Sequence, residues 1–335
     1  MQNKKKIDII ELAKILNLSK STISRAFRNS SDINKHTRQR ILDKAQELNY
    51  HPNIYASSLR KRKSKTIAII IPELANNFFS KAVNGIENIA RSNNFHSLIY
   101  FTDSQVKKEI EITKNLLNGR VEGVIISATG EGTEPLHIKS LQRNTPVVFF
   151  DRVYDEIIAP KVVTDDYESS FKATELLLKN GCKRTAFFVI NKNISIGKQR
   201  MKGYLDALKA NGCKHNDKLI LNCCNHFQEN YKMISKFLKK EKPDGIFASV
   251  ERLATCTYSV CKDKNISIPA DIKLICYSSI DIADLLAPSL STVTQPAYDM
   301  GAKAAELLFK QINEQQISDE KVTLTSRIDE RASSQ

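Results

Sequence analysis

The chain has 335 residues, 41% hydrophobic and 26% charged, which suits a globular protein of two or three domains. It contains no run of about 18 apolar residues, so a membrane span is not expected, and its basic N-terminus has no apolar core of the kind a secretory signal needs. The net charge of +14 is uneven: residues 1–65 hold sixteen Lys or Arg and five Asp or Glu, a net of +11, leaving +3 for the other 270 residues.

A small basic head on a near-neutral body is the electrostatic pattern of a nucleic-acid-binding module, although a solvated basic tail has the same charge. The patterning within the head favours the module. Asp8 and Glu11 have the spacing of a capping box. Ile9 to Leu16 then runs apolar at helical spacing. Asn17 suits the left-handed backbone of a tight turn, and Ser19 suits the N-cap of a second helix beginning at Lys20. In that helix Ile23 and Phe27 are i,i+4 and face a core, whereas Lys20, Ser21, Ser24 and Arg25 lie elsewhere and can reach outward. A third helix, about 35–48, carries Ile41, Leu42, Ala45 and Leu48 on an inner stripe. Two helices joined by a three-residue turn and braced by a third make a helix-turn-helix. Short polar and basic side chains at the start of the second helix suit a major groove. The plainer alternative is a three-helix bundle with a polar surface.

Four motifs follow one another in the head: L-x-x-S-x-S-T-I-S-R from Leu16 to Arg25, T-R-x-R-I from Thr37, L-N-Y-x-P-N from Leu48 and A-x-S-L-R from Ala56. In this order and spacing the chain resembles the lactose-repressor/galactose-repressor (LacI/GalR) family of bacterial transcription factors. The resemblance implies that Lys20, Ser21 and Arg25 read bases, and that Ser19, Thr22, Ser24, Thr37, Tyr50 and Asn53 complete the DNA-contacting set, largely at phosphates. It also implies that Ala56 and Leu59 lie on a hinge helix that folds on DNA and wedges Leu59 into the minor groove. Without DNA the same stretch reads as a flexible basic linker. Arg28 stands where the family commonly has Asn, and an Arg there can bind phosphate.

From Thr66 the grammar changes to alternating strands and helices. Ile67 to Ile71 is a continuous apolar run, as in a strand buried on both faces. Helices near 78–93, 107–117 and Leu136 alternate with strands at 97–101, 123–127 and 146–150, and a second series runs from Val162 to Tyr277. Two doubly wound lobes of similar size are expected. The seven cysteines, Cys182, Cys213, Cys223, Cys224, Cys256, Cys261 and Cys276, form no C-x-x-C and read as free, buried thiols.

The resemblance continues through Asn77-Phe78-Phe79, Val148 to Arg152, Arg200-x-x-Gly203-Tyr204, Pro243 to Ala248 and Pro288 to Pro296. It implies a two-lobed body like the periplasmic sugar-binding proteins, with a cleft between lobes. Phe78, Phe79, Asp151, Glu251 and Ser278 fall at strand carboxyl ends, where such sheets bind ligands. With Arg200 they are the candidate effector residues. An aromatic ring can stack on a sugar, and the Arg fork can bond vicinal hydroxyls. Plainer roles exist: Phe79 as core, Asp151 as the partner of Arg152 or a helix cap, Arg200 as a solvated charge. Val250-Glu251 and Cys276-Tyr277-Ser278 replace the family's frequent Asn-Asp and Gly-Phe-Asp. Losing two Asp acceptors turns the expectation away from common hexoses, with an acidic sugar as one candidate.

The domain expectation is a helix-turn-helix domain at 1–50, a hinge and linker at 51–65, and an effector-binding and dimerisation body at 66–331. Lobe 1 takes about 66–163 and 294–318, and lobe 2 about 164–293 and 319–331. No G-x-G-x-x-G, P-loop, catalytic set or metal-ligand spacing is found, so no enzyme activity, cofactor or metal is assigned. The expected protein is a cytoplasmic, nucleoid-associated homodimeric repressor. It would bind palindromic double-stranded operator DNA under the control of a sugar-like effector. The alternative is a cytosolic solute-binding or enzymatic protein with a non-specific DNA-binding head.

Overall fold

The computed structural model describes residues 7–27, 32–50, 64–130, 134–313 and 319–335. It divides into two compact units, 1–64 and 65–335.

In the first unit, α1 (Ile9–Leu16), α2 (Lys20–Phe27) and α3 (Lys35–Glu47) enclose Leu12, Leu16, Ile23, Ala26, Ile41 and Ala45. The capping box forms: Asp8 accepts from the Ile10 and Glu11 amides, and Glu11 reaches back to the Asp8 amide. Asn17 ends α1 in the left-handed conformation at φ 53°, so the chain turns within three residues. Ser19 Oγ then accepts from the Thr22 amide at 3.1 Å and caps α2. Two arginines of α3 close the other helix ends. Arg40 donates to the Leu16 carbonyl at 2.7 Å, and Arg38 to the Ala26 carbonyl at 3.2 Å. Each places positive charge where a helix presents its negative pole.

The second unit carries two six-stranded sheets. The first has the order β11-β5-β4-β3-β1-β2, all parallel. Its strands are β1 (Thr66–Ile71), β2 (His96–Phe101), β3 (Gly123–Ile126), β4 (Val147–Phe150), β5 (Lys161–Thr164) and β11 (Lys321–Leu324). The second has the order β12-β10-β9-β8-β6-β7, with only the β10–β12 pair antiparallel. It contains β6 (Thr185–Val189), β7 (Ile220–Asn222), β8 (Gly245–Ala248), β9 (Lys273–Tyr277), β10 (Ser291–Thr294) and β12 (Arg327–Asp329). Central strands β1, β3, β4, β6 and β8 are buried along their whole length because helices cover both sheet faces. Helices α4 (Asn77–Ser92), α5 (Val106–Leu116), α6 (Leu136–Gln142) and α11 (Ala297–Ile312) serve the first sheet. Helices α7 (Asp166–Lys179), α8 (Ser195–Ala210), α9 (Phe227–Glu241) and α10 (Glu251–Lys264) serve the second.

The chain passes between lobes three times: after β5, after β10 and after β11. The last crossing corrects the sequence expectation that 319–331 belongs to lobe 2. Residues 321–324 instead pair with 161–164 in the first sheet, and only from Arg327 does the chain join the second. Both are short edge strands, and neither composition nor pattern distinguishes their sheets.

Candidate functional site

On the head, α2 presents Lys20, Ser21 and Arg25 exposed and Thr22 and Ser24 half-buried, while Ile23 and Ala26 are fully buried. The helix is thus pinned by two small or branched residues and shows one polar and basic face. Ser19 is exposed, but its hydroxyl is taken up by the cap and by Ser21 and Thr22 at 2.7 and 2.8 Å. Thr37 is half-buried on the first turn of α3. Tyr50 belongs to the head's core: it is 8% exposed and its ring lies 5.7 Å from that of Phe27. Burial, and then Asp8, push its phenol above the ordinary tyrosine range. Packing is therefore its evident role. Arg28, Asn53, Ala56 and Leu59 lie outside the described residues.

The second candidate site is the cleft between the lobes of the body, at the carboxyl ends of both sheets. All six candidate effector residues border it. They fall into two groups. Phe78, Phe79, Asp151 and Ser278 border a small inner chamber of about 40 Å³ beside Tyr277 and Gln295. Arg200 and Glu251 border both that chamber and a larger cavity of about 1030 Å³ at the mouth.

Phe78 and Phe79 are 7% and 2% exposed and meet edge to face at 5.1 Å, and Phe79 continues onto Phe150 at 6.2 Å. Phe79 is therefore a core residue whose edge reaches the chamber. Asp151 ends β4 in the left-handed conformation at φ 61°, a strained position for a non-glycine residue. Its carboxylate accepts from Ser127 Oγ at 3.2 Å and lies 3.8 Å from Arg152 Nε. Burial dominates over Arg152 and Arg200 and raises its pKa to about 6.

Arg200 is the most constrained charge in the body. It is 3% exposed, against the expectation that it might be a solvated charge. Its Nε donates to Asp166 at 2.6 Å, its Nη1 donates to the Ser249 carbonyl at 2.7 Å, and its guanidinium lies 3.7 Å over the Tyr277 ring. Asp166 also accepts from Thr164 Oγ1, which accepts from Gln295, while the Tyr277 hydroxyl donates to the Asp166 carbonyl. Burial pulls the guanidinium down, but Asp166, Tyr277 and Asp151 together hold it above its ordinary value. Gly203 makes the pair possible. A Cβ there would sit 2.3 Å from the Tyr167 carbonyl, so only glycine lets α8 approach α7 closely enough for Arg200 to reach Asp166. Sequence reasoning missed Asp166 and Tyr277. Two signals were available: adjacent acids at a strand end, and a Gly one turn after an Arg.

Side chains also bridge the cleft. Glu251 accepts from Asn77 of lobe 1 at 3.0 Å and from Ser278 of its own lobe at 2.7 Å. Arg252 pairs with Glu73 at 2.6 Å, and Lys81 donates to the Ser279 carbonyl at 2.7 Å and pairs with Asp281. The lobe 1 partners all come from the β1–α4 loop and the first turns of α4. The lobe 2 partners follow β8 and β9. None of these bridges is legible in the sequence, because they join residues between 174 and 200 positions apart.

A helix-turn-helix head with an exposed basic second helix, followed by two doubly wound lobes around a polar cleft, defines a DNA-binding regulator with a ligand-binding body. Residues 8–53 match the bacterial regulatory proteins of the lacI family, and residues 64–331 match the periplasmic binding proteins and sugar binding domain of the LacI family. The chain belongs to the LacI family and is a DNA-binding transcriptional regulator. Catabolite control protein A of Staphylococcus xylosus is 30% identical over 97% of this chain and 98% of its own length. The HTH-type transcriptional regulator RegA of Clostridium saccharobutylicum is 28% identical over 97% and 98%. The fold is that of the lac repressor dimer bound to operator and an anti-inducer, with a TM-score of 0.85 at 20% identity over 98% of this chain and 99% of that one. A LacI family regulator from Enterococcus faecium with bound ribose matches 80% of this chain and 98% of its own, with a TM-score of 0.72 and 27% identity.

Proposed function

We propose that this regulator is a homodimeric repressor whose grip on a palindromic operator is set by a sugar-like effector in the interlobe cleft. The observation that carries the reading is that all six candidate effector residues border one polar cleft on a body joined to a basic recognition head. Lys20, Ser21 and Arg25 are assigned to base edges, and Thr22, Ser24 and Thr37 to phosphates, with Ser19 as cap and a secondary contact. Asn53 and Arg28 are assigned to the backbone, and Ala56 and Leu59 to the hinge. Dimerisation through the body is supported by edge strand β2, whose Leu98, Ile99 and Phe101 are about 40% exposed. The lac repressor dimer bound to operator and the Enterococcus faecium regulator with bound ribose support the same kinds of partner here. The role is one of binding without catalysis, at the nucleoid. No helix among the described residues is long and apolar enough to cross a membrane.

Effector occupancy changes the relation of the lobes, and through it the joint fit of two heads to two half-sites. Coupling is reciprocal, so operator and effector change each other's affinity by one factor. Fluorescence anisotropy with a selected operator tests this. A sugar that binds the body must shift operator affinity by about fivefold or more. A sugar that binds tightly with no shift refutes the control, though not the DNA binding.

A further inference from the structure

We propose that Lys65 is a positioning residue: it fixes the direction in which each chain leaves the body toward its DNA-binding head, and so sets the half-site spacing that the dimer accepts. This rests on the dimeric operator reading above and concerns its DNA specificity.

Lys65 is the first residue of the second unit and stands immediately before β1. Its backbone is left-handed, at φ 48°. That conformation is costly for a residue with a Cβ and persists where the surroundings hold it. Three segments of lobe 1 do so. The Lys65 amide donates to the Glu122 carboxylate, just before β3. The Lys65 carbonyl accepts from the His96 amide at 2.8 Å, at the start of β2. The ammonium lies 4.4 Å from the centre of the Phe95 ring, within cation–π range. Phe95 is itself buried and meets Phe309 of α11 edge to face at 4.9 Å. Glu122 closes the clasp, its own amide donating to the Thr66 carbonyl at 2.8 Å.

The core of lobe 1 does not require this arrangement. Lys65 is exposed and lies outside the buried cluster that β1 enters at Ile67. Glycine takes a left-handed φ without strain and would serve if the position only had to begin a strand. Lysine adds the contact over Phe95 and removes glycine's freedom. What it fixes is the path of the chain on its N-terminal side, where the hinge residue Leu59 is six positions back.

The clasp is also tied to the dimer contact. His96 begins β2, the edge strand whose exposed Leu98, Ile99 and Phe101 are assigned to dimerisation. Across a twofold interface at β2, the two Lys65 residues are held at one separation. A base pair added between half-sites moves them by about 3.4 Å and about a tenth of a turn, which two fixed exits cannot follow.

The experiment is fluorescence anisotropy of the full-length protein on the selected palindrome and on versions with one base pair added or removed at the centre. For the native chain each change should weaken binding about tenfold or more, because both heads no longer engage together. In Lys65→Gly the penalty should fall to about threefold or less, with thermal unfolding of the body unchanged or slightly raised. Glu122→Ala should relax spacing in the same way. Lys65→Arg, which keeps a cation over Phe95, should keep the native penalty. A full penalty in both Lys65→Gly and Glu122→Ala overturns the positioning role and leaves the dimeric reading standing. So does a body destabilised by Lys65→Gly, which would make Lys65 a structural residue. A native chain that ignores spacing refutes the dimeric reading and this inference together.

Discussion

Removing Arg200 should unfold much of lobe 2's margin before it reveals anything about ligand binding. The pair with Asp166 is enclosed on all sides, with Arg200 3% and Asp166 5% exposed. In Arg200→Met the methylene volume is kept, but Asp166 loses its 2.6 Å partner and Tyr277 loses its cation. Burial already raises the Asp166 carboxyl, with Arg200 as the main opposing influence, so its removal drives Asp166 toward protonation. Breaking a buried pair from one side costs about 3–5 kcal/mol. That is a large share of a stability of about 5–15 kcal/mol. Urea unfolding followed by far-UV circular dichroism and tyrosine fluorescence suits a chain with no Trp. Asp166→Leu alone should cost a similar amount. The double variant Arg200→Met with Asp166→Leu should recover most of the loss, because no uncompensated charge then stays buried. Single variants within about 1 kcal/mol of the native protein, or a double variant as unstable as the sum of the singles, would refute the pair as a structural strut.

Asp151 has a pKa of about 6 in the native protein against 3.8 for a free carboxyl, so the native state holds more protons than the unfolded state between about pH 4 and 6. Stability should fall as pH rises through that window and level off above it. Asp151→Asn should remove this slope and be more stable at pH 7 by up to about 3 kcal/mol, read from denaturation midpoints across pH; an unchanged slope counts against Asp151 as its source. Gly203→Ala should cost about 1–3 kcal/mol by forcing α8 off α7, and a neutral result would contradict the close approach. Arg40→Ala should lower the head's melting stability by about 1 kcal/mol through loss of the Leu16 carbonyl bond, with body unfolding unchanged. Arg25→Ala should weaken operator binding by about 1–3 kcal/mol and relax selectivity at one base pair, whereas uniform weakening on all sequences would reassign Arg25 to phosphate.

Local features were legible in the sequence because each is specified by neighbours in the chain. The Asp8–Glu11 box, the left-handed Asn17 and the exposed face of α2 follow from spacing and residue type alone. The β1 strand was legible from unbroken hydrophobicity. What escaped depends on contacts between distant segments. Arg200 looks solvated on its own helix, and its burial is created by Gly203, Asp166 and Tyr277 from three separate places. Glu251 was legible as a cleft residue, but not as a bridge, since Asn77 is 174 positions away. Phe79 could not be divided between core and ligand until its contact with Phe150 was known. Residues 321–324 and 327–329 have no pattern that assigns either to a sheet, and only the tertiary pairing separates them.

The most direct test of a sequence-specific regulator is selection of bound duplexes from random DNA by the full-length protein. Salt should be near physiological, about 0.15 M, where non-specific phosphate binding is weakened. The account predicts enrichment of one palindrome with a fixed centre, and loss of that enrichment in the double variant Lys20→Ala with Arg25→Ala. Recovery of no enriched sequence, with binding that merely tracks salt, would contradict it and leave the head as a general polyanion binder.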